Sequence, residues 1–332
     1  MSHFRPKPEY LRLYHANGAG QPGGRLPEIE AAKTVRIFND FWLSLALPVL
    51  PISRDPPASA VYFARMINLA PLLVDKPWGM ARLPAPFAAP HDRRIGEIWF
   101  EVASQEAVSP LLVKYLFTSE KLSIQVHPDD EQARARGHPS GKEECWYILD
   151  AKPGARLGIG TIRPLGRSEL HSAALNGELE RLIQWHPVQA DMMFHIPPGT
   201  IHAIGPGITL LEVQQASDIT YRLYDYGRPR ELHLVDGTAV ADARPFPARC
   251  QLLVDRARSA LLLEANHFKI AHITDDNRPI EVDQGENMLL IPLTGSLDVD
   301  GTQAAFGDCM LVQRKARFRL APGSRALLAW SK

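Results

Sequence analysis

Short strand-like runs, repeatedly cut by glycine, proline and aspartate, constrain this chain more than any other feature. From about residue 66 the run LSIQVH alternates apolar and polar fully, and EIWFEV alternates in part. CWYIL is apolar and aromatic, MFHI runs into Pro-Pro-Gly, and ITLLEVQ follows Gly-Pro-Gly. Runs of this length with this punctuation belong to a β-sandwich or barrel. One helix is expected to interrupt them over about residues 168–185, with Leu175, Leu179, Leu182 and Ile183 on one side.

The pattern divides the chain in three. Residues 66–250 carry the strand-rich block and all the candidate chemistry. Residues 251–332 repeat strands and turns, with NMLLIPLTG and GDCMLV separated by an Asp300-Gly301 hairpin signal. In that block His267 and His272 precede the strands without ligand-like companions, so it reads as a second, smaller barrel without a metal. Residues 1–65 hold scattered Pro and Gly and one expected helix over about 28–47, with Val35, Phe38, Trp42 and Leu45 at helical spacing. They show no chemistry and read as an extension. Met66 opens a first strand, and on one reading the functional chain begins there.

Composition narrows the partners. Among 332 residues, 37 basic side chains balance 37 acidic ones, which removes any global case for nucleic acid or an anionic membrane. A local cluster of cations for a small anion remains compatible with that total. Cys145, Cys250 and Cys309 are odd in number and form no C-x-x-C pair, so they read as small buried hydrophobes in a reducing compartment. The apolar run at residues 41–52 contains Ser44, Pro48 and Pro51 and is too short to span a bilayer. A cytoplasmic monomer or homodimer acting on a small molecule is the expectation.

Three elements carry the chemistry. In SIQVHPDD, Ser123, Gln125 and His127 share one strand face, because side chains alternate with period two. The other face, Leu122, Ile124 and Val126, is apolar. In GKEECWY a carboxylate leads into a buried-looking strand. In PPGTIHAIG a rigid turn aims His202 back along a new strand. Singly, these read as a solvent-facing strand, a solvated loop end and a satisfied core histidine. Together they offer an amide oxygen, two imidazoles and a carboxylate from separate strands. That is a ligand set for a divalent metal such as zinc, and mixed nitrogen and oxygen ligation marks a catalytic rather than a structural site.

The runs SIQVHPDD, GKEECWYI, PPGTIHAIG and LLEVQQASDITYRLYDYGRPRELHL, with KPWG and GEIW before them, resemble the type I mannose-6-phosphate isomerases of the cupin superfamily, in their short bacterial form. The similarity runs from about Met66 to about Leu234. It implies a mainly β fold: a cupin jelly-roll barrel with a helical insertion and a second, smaller, metal-free cupin-like barrel. It implies one zinc ion per chain on Gln125, His127, Glu144 and His202. It also implies Arg222, ten residues after Glu212 and behind Ser217 and Asp218, as a catalytic arginine, with Lys142 and Glu212 as candidates for moving a proton. Ser123, Asp218 and Arg230 are the expected substrate-binding residues. The chain departs from the family where only Gly227, Arg228 and Pro229 separate Tyr226 from Arg230.

The implied reaction interconverts mannose 6-phosphate and fructose 6-phosphate through a cis-enediolate. Rival readings are an iron dioxygenase, which would favour a third histidine in place of Gln125, and a sugar-binding cupin, which would have no need of Glu212 and Arg222. Nucleotide binding fails, because Gly158-Ile159-Gly160 lacks the third glycine of a dinucleotide fingerprint.

Overall fold

The strands alternate not between core and water but between two cores. The computed structural model describes residues 66–101, 109–275, 287–313 and 318–332. The expected helix at residues 28–47 and the rest of residues 1–65 lie outside the described residues. A seven-stranded antiparallel sheet runs in the order Gln251–Leu253, Met192–Ile196, Glu144–Ala151, Ile208–Gln215, Leu111–Phe117, Ile95–Phe100 and Pro71–Met80. A five-stranded sheet runs Tyr221–Tyr224, Ile124–Val126, His202–Ile204, Arg156–Thr161 and Ile183–Pro187. Their facing sides meet in one cluster, with Leu116, Trp146, Ile148, Phe194 and Leu210 from the first sheet against Leu157, Ile159 and Ile204 from the second.

The outward sides are covered as well. Ile124, Val126, Ala203, Tyr221 and Leu223 of the five-stranded sheet pack under Leu170, Ala173, Ala174 and Leu179 of the helical segments. Val113, Tyr115, Phe117, Leu211 and Val213 of the seven-stranded sheet pack on Leu289, Ile291, Leu311, Leu327 and Ala329. Those partners belong to a six-stranded sheet in residues 251–332, which also takes in Met66–Asn68 as an edge strand beside Met310–Gln313. Its far side, with Leu290, Met310 and Leu328, meets Leu297, Val299 and Ala304 of a three-stranded sheet. Fully burying one such side chain contributes about 1.5–3 kcal/mol, so each covered face is a large stabilising term.

The fold is therefore mainly antiparallel β, as expected. No helix among the described residues is long and apolar enough to cross a membrane. Cys145 and Cys309 are buried, Cys250 is half-buried, and all three are free thiols. The Asp300-Gly301 signal is a two-residue hairpin between Ser296–Val299 and Thr302–Ala305. Its φ values of 46° and 92° are the left-handed pair that a type I′ turn requires.

The single helix expected at residues 168–185 is instead three elements. A helix spans Arg167–Asn176, a one-turn helix spans Leu179–Leu182, and Ile183–Pro187 is a strand paired to Arg156–Thr161. Gly177 takes φ 82° and ends the first helix in the left-handed conformation. The buried face is Leu170, Ala173 and Ala174, whereas Leu175 is 67% exposed. Leucines at near-helical spacing across a glycine were mistaken for one continuous stripe.

Several motif residues turn out to build the scaffold. Asp129 caps the helix Asp130–Arg134 in a capping box with Gln132, at 2.8 and 3.0 Å. Asp130 accepts from the Gly141 N–H at 2.8 Å, and the Lys142 N–H donates to the Pro128 carbonyl at 3.1 Å. A Cβ on Gly141 would stand 2.4 Å from the Asp129 carbonyl carbon and 2.5 Å from the Pro128 oxygen. These are backbone atoms and cannot swing away. Gly141→Ala is therefore expected to destabilise the fold by about 1–3 kcal/mol through overpacking. The shift of the urea unfolding midpoint at constant m-value measures it.

Candidate active site

Strand register brings the buried polar groups into two facing rows. Across the seven-stranded sheet Trp99 pairs with Lys114, Lys114 with Glu212, and Glu212 with Trp146. Glu144 lies two residues before Trp146 and so shares its face. Across the five-stranded sheet Arg222 pairs with Gln125 and Gln125 with His202. His127 continues that face just beyond the strand. The apolar outward face of this segment is covered by helix, so its polar side looks into the lumen between the sheets, not into water.

Where the rows meet, His127, Glu144 and His202 present one ligand atom each, all within 4.8 Å of one another. His127 Nε2 is 3.3 Å from Glu144 Oε1, and His202 Nε2 is 3.7 Å from Glu144 Oε2. Each ring is oriented from behind. His127 Nδ1 donates to the Ile219 carbonyl at 2.8 Å and His202 Nδ1 to the Thr200 carbonyl at 2.9 Å. That fixes the tautomer with the Nε2 lone pairs pointing inward, the usual arrangement behind metal-ligating histidines. Burial lowers the His127 pKa to about 3, with the Lys142 charge adding to the effect, and burial also lowers that of His202. Both rings are neutral and able to ligate.

The Glu144 carboxylate is buried and neither oxygen accepts a well-directed hydrogen bond. Burial alone would protonate it, but the charge of Lys142, whose Nζ is 2.5 Å away, outweighs this and holds its pKa well below the usual range. Convergent neutral imidazoles around an ionised carboxylate with unused lone pairs fit a divalent cation. The Gln125 amide, whose nitrogen is 3.2 Å from His202 Nε2, stands at the same cluster.

Beside this cluster lies a cavity of about 270 Å³. It is near the small end of ligand sites, which run from about 300 to 1,000 Å³. Lys76, Lys114, Lys142, Arg222 and Arg230 line it, against Glu97, Glu212 and Asp218. Five cations against three carboxylates favour a small anion. Four of the five are engaged by carboxylates: Lys76 with Glu97 at 3.2 Å, Lys114 with Glu212 at 3.7 Å, Lys142 with Glu144 at 2.5 Å and Arg230 with Asp225 at 2.5 Å. Among the described residues the Arg222 side chain donates to the Glu231 carbonyl alone, at 2.7 Å, and its buried Nε has no partner.

Glu212 and Lys142 differ electrostatically. Burial and the nearby Glu144 charge push the Glu212 pKa up to about 7, although Lys142 and Lys114 pull it down. Its Oε2 accepts from Trp146 Nε1 at 2.8 Å, which fixes the carboxylate. Burial works against the Lys142 ammonium, but the charges of Glu144 and Glu212 outweigh it and raise its pKa. Glu212 is therefore poised to take up and release a proton near neutrality, whereas Lys142 is a fixed cation.

The structure thus gathers Ser123, Gln125, Lys142, Glu212, Asp218, Arg222 and Arg230 around one cavity, with His127, Glu144 and His202 at its edge. Arg228, in the short connection after Tyr226, donates to Asp225 at 3.1 Å and to the Lys121 carbonyl at 2.8 Å. Sequence reading missed Lys76, Glu97 and Lys114. For Lys114 a signal existed: it is the lone charge in LLVKYLF, a strand with every residue buried. His267 was expected to lack companions, but Glu143 and Asp130 flank it at 2.7 and 3.5 Å. Those partners lie in another block, beyond the reach of local spacing.

No protein-family model matches the chain. In sequence it is 42% identical over 137 residues to the mannose-6-phosphate isomerase of Streptococcus mutans, covering 40% of this chain and 43% of that one. It is 39% identical over 171 residues to mannose-6-phosphate isomerase ManA of Bacillus subtilis, covering 48% and 54%. The chain thus spans about half the length of these curated relatives. The crystal structure of the Bacillus subtilis mannose 6-phosphate isomerase superposes with a TM-score of 0.65 at 25% identity, over 80% of this chain and 99% of that one. A zinc-bound mannose 6-phosphate isomerase shares the fold at a TM-score of 0.60 and 15% identity, over 80% and 99%. In local sequence and in fold, this chain is similar to the mannose-6-phosphate isomerases.

Proposed function

We propose that this protein is a zinc-dependent aldose-ketose isomerase that interconverts mannose 6-phosphate and fructose 6-phosphate. The observation that carries the reading is the pairing of a buried His127–Glu144–His202 cluster with Glu212 in one small, cation-rich cavity. Zinc fits the donor set of His127, Glu144, His202 and Gln125, one ion per chain, and when bound supplies a Lewis acid and a fixed positive charge.

The rest of the chemistry falls to the chain's own groups. Isomerisation removes the proton from C2 of the aldose and returns it to C1, while the C2 hydroxyl proton passes to the C1 oxygen. The intermediate is a cis-enediolate with developing negative charge on oxygen. Glu212 takes the C2 proton as carboxylate and delivers it to C1 as acid, a role suited to a pKa near the working pH. Lys142 and Arg222 supply fixed positive charge where the oxygen charge grows, in a lumen enclosed between two sheets. Ser123 and Asp218 hold sugar hydroxyls, and Arg230, already held by Asp225, is the candidate cation for the phosphate. Residues 66–250 are the catalytic part on this reading.

The direct test is a coupled assay for fructose 6-phosphate formed from mannose 6-phosphate by metal-depleted protein, with and without added zinc. Zinc-restored turnover is expected, and its absence in folded, zinc-loaded protein would refute the proposal. His202→Ala is expected to abolish zinc retention and turnover together. Arg222→Ala should keep zinc while kcat/KM falls about 10²–10³-fold, the scale for removing one charge-stabilising donor. Zinc content by atomic absorption separates the two outcomes.

The base assignment predicts a pH dependence. Glu212 acts ionised, so kcat/KM should rise with pH through its pKa and then level off. Burial and Glu144 raise that pKa to about 7 in the metal-free protein, and a bound dication draws it lower. Lys114→Met removes a charge that lowers the pKa, so the acid limb should move to higher pH. Glu212→Gln should abolish the limb and reduce kcat about 10²–10⁴-fold. A kcat/KM profile between pH 5 and 9 checks all three.

A further inference from the structure

Glu143, unlike its neighbour Glu144, points away from the lumen, since adjacent strand residues face opposite ways. It is buried with 0% exposure, and its carboxylate is heavily engaged. His195 Nε2 donates to Oε1 at 2.9 Å. On Oε2 it receives His267 Nδ1 at 2.7 Å and the His267 backbone N–H at 3.0 Å. The Glu143 backbone is gripped too: its N–H donates to Gln215 Oε1 at 2.9 Å, and its carbonyl accepts from the Gln215 N–H at 3.1 Å. Gln215 Nε2 in turn reaches Asp130 Oδ1 at 3.0 Å, the oxygen that holds Gly141.

His267 comes from the other block. It stands just before the strand Phe268–Thr274 of the six-stranded sheet, and its carbonyl accepts from the Lys332 N–H at 2.9 Å. The block at residues 251–332 thus reaches across and fastens the segment that carries both Lys142 and Glu144. Packing alone does not call for a buried carboxylate here, because an apolar residue of similar volume fills such a place at no loss of stability. Several donors converging on one carboxylate do something packing does not: they fix the pleat of the strand and therefore the direction of the side chains on either side. A displacement of about 1 Å at a reacting group costs about 10²-fold in rate.

We propose that His267, acting with His195 through Glu143, is a positioning residue for the metal centre, and that the 251–332 block serves the active site through this contact. The inference rests on the metal-binding reading of His127, Glu144 and His202. Its test therefore reads zinc affinity, by competition with a chromogenic chelator, alongside kcat and KM of the full chain. His267→Ala leaves Glu143 with its side-chain donors reduced to His195. Zinc affinity is expected to fall about tenfold, the lower end for losing support behind a ligand. The kcat should fall with KM little changed. His267→Asn restores a nitrogen near the position of Nδ1 and should recover both quantities, which separates the hydrogen bond from mere bulk. If His267→Ala does not fold, His195→Ala, which strips the other side-chain donor, carries the same expectation. A folded variant of either kind with wild-type zinc affinity and kcat overturns the positioning role. Wild-type protein that binds no zinc overturns the metal-centre reading itself, which is a different result.

Discussion

Everything at the centre of this molecule answers to one buried anion. Glu144 is 1% exposed, between two sheets whose other lumen residues are largely aromatic and aliphatic. An isolated carboxylate in such a place would take up a proton instead of remaining charged. It remains charged because the Lys142 ammonium is beside it and outweighs the cost of burial. Protein donors sit against the lone pairs of the two imidazoles that face it: Lys142 Nζ is 3.4 Å from His127 Nε2, and the Gln125 amide nitrogen is 3.2 Å from His202 Nε2. On the proposed reading a dication would share this cluster, and the Lys142 charge holds Glu144 ionised for it. The same anion reaches further. Its field adds to burial in lifting Glu212 toward neutrality, so the proposed metal ligand also tunes the proposed base.

A sheet buried on both sides makes this arrangement affordable. The seven-stranded sheet has one apolar face against the 251–332 block and a lumen face that can carry Lys114, Glu144 and Glu212. The five-stranded sheet does the same against the helices. Two largely apolar interfaces outside the lumen help to offset the cost of several buried charges within it. The second block contributes to the site's surroundings, since it seals one of those interfaces and supplies His267.

The chain's β character, its strand runs and its candidate site were legible because they follow from local rules. Alternation placed Ser123, Gln125 and His127 on one face, and the resemblance supplied Glu144 and Arg222. What sequence alone could not decide was what lay against that face, and so whether it met water or a lumen. The answer depended on helices more than forty residues later in the chain. Two expectations failed for similar reasons. The helix over residues 168–185 ignored Gly177 and the strand partner waiting at Arg156–Thr161. The isolation assigned to His267 ignored a carboxylate 124 positions away. Lys114 was a different kind of miss, since a lysine within a seven-residue strand buried throughout is a local anomaly that a search for charged residues among apolar ones would have caught.

The short connection after Tyr226 bears on the choice among the cations. It is tight: Tyr226 and Gly227 take φ values of 54° and 79°, and buried Asp225 binds both Arg228 and Arg230. Asp225 thereby neutralises the arginines nearest the loop and leaves Arg222, on the neighbouring strand, without a carboxylate among the described residues. Burial and the Arg230 charge lower the Arg222 pKa, but a guanidinium starts so high that it stays ionised. An unpaired, partly desolvated cation is costly unless an anion completes it. Arg222 is thus the cavity cation with charge left over for an anionic ligand, because Asp225 holds the arginines of the loop.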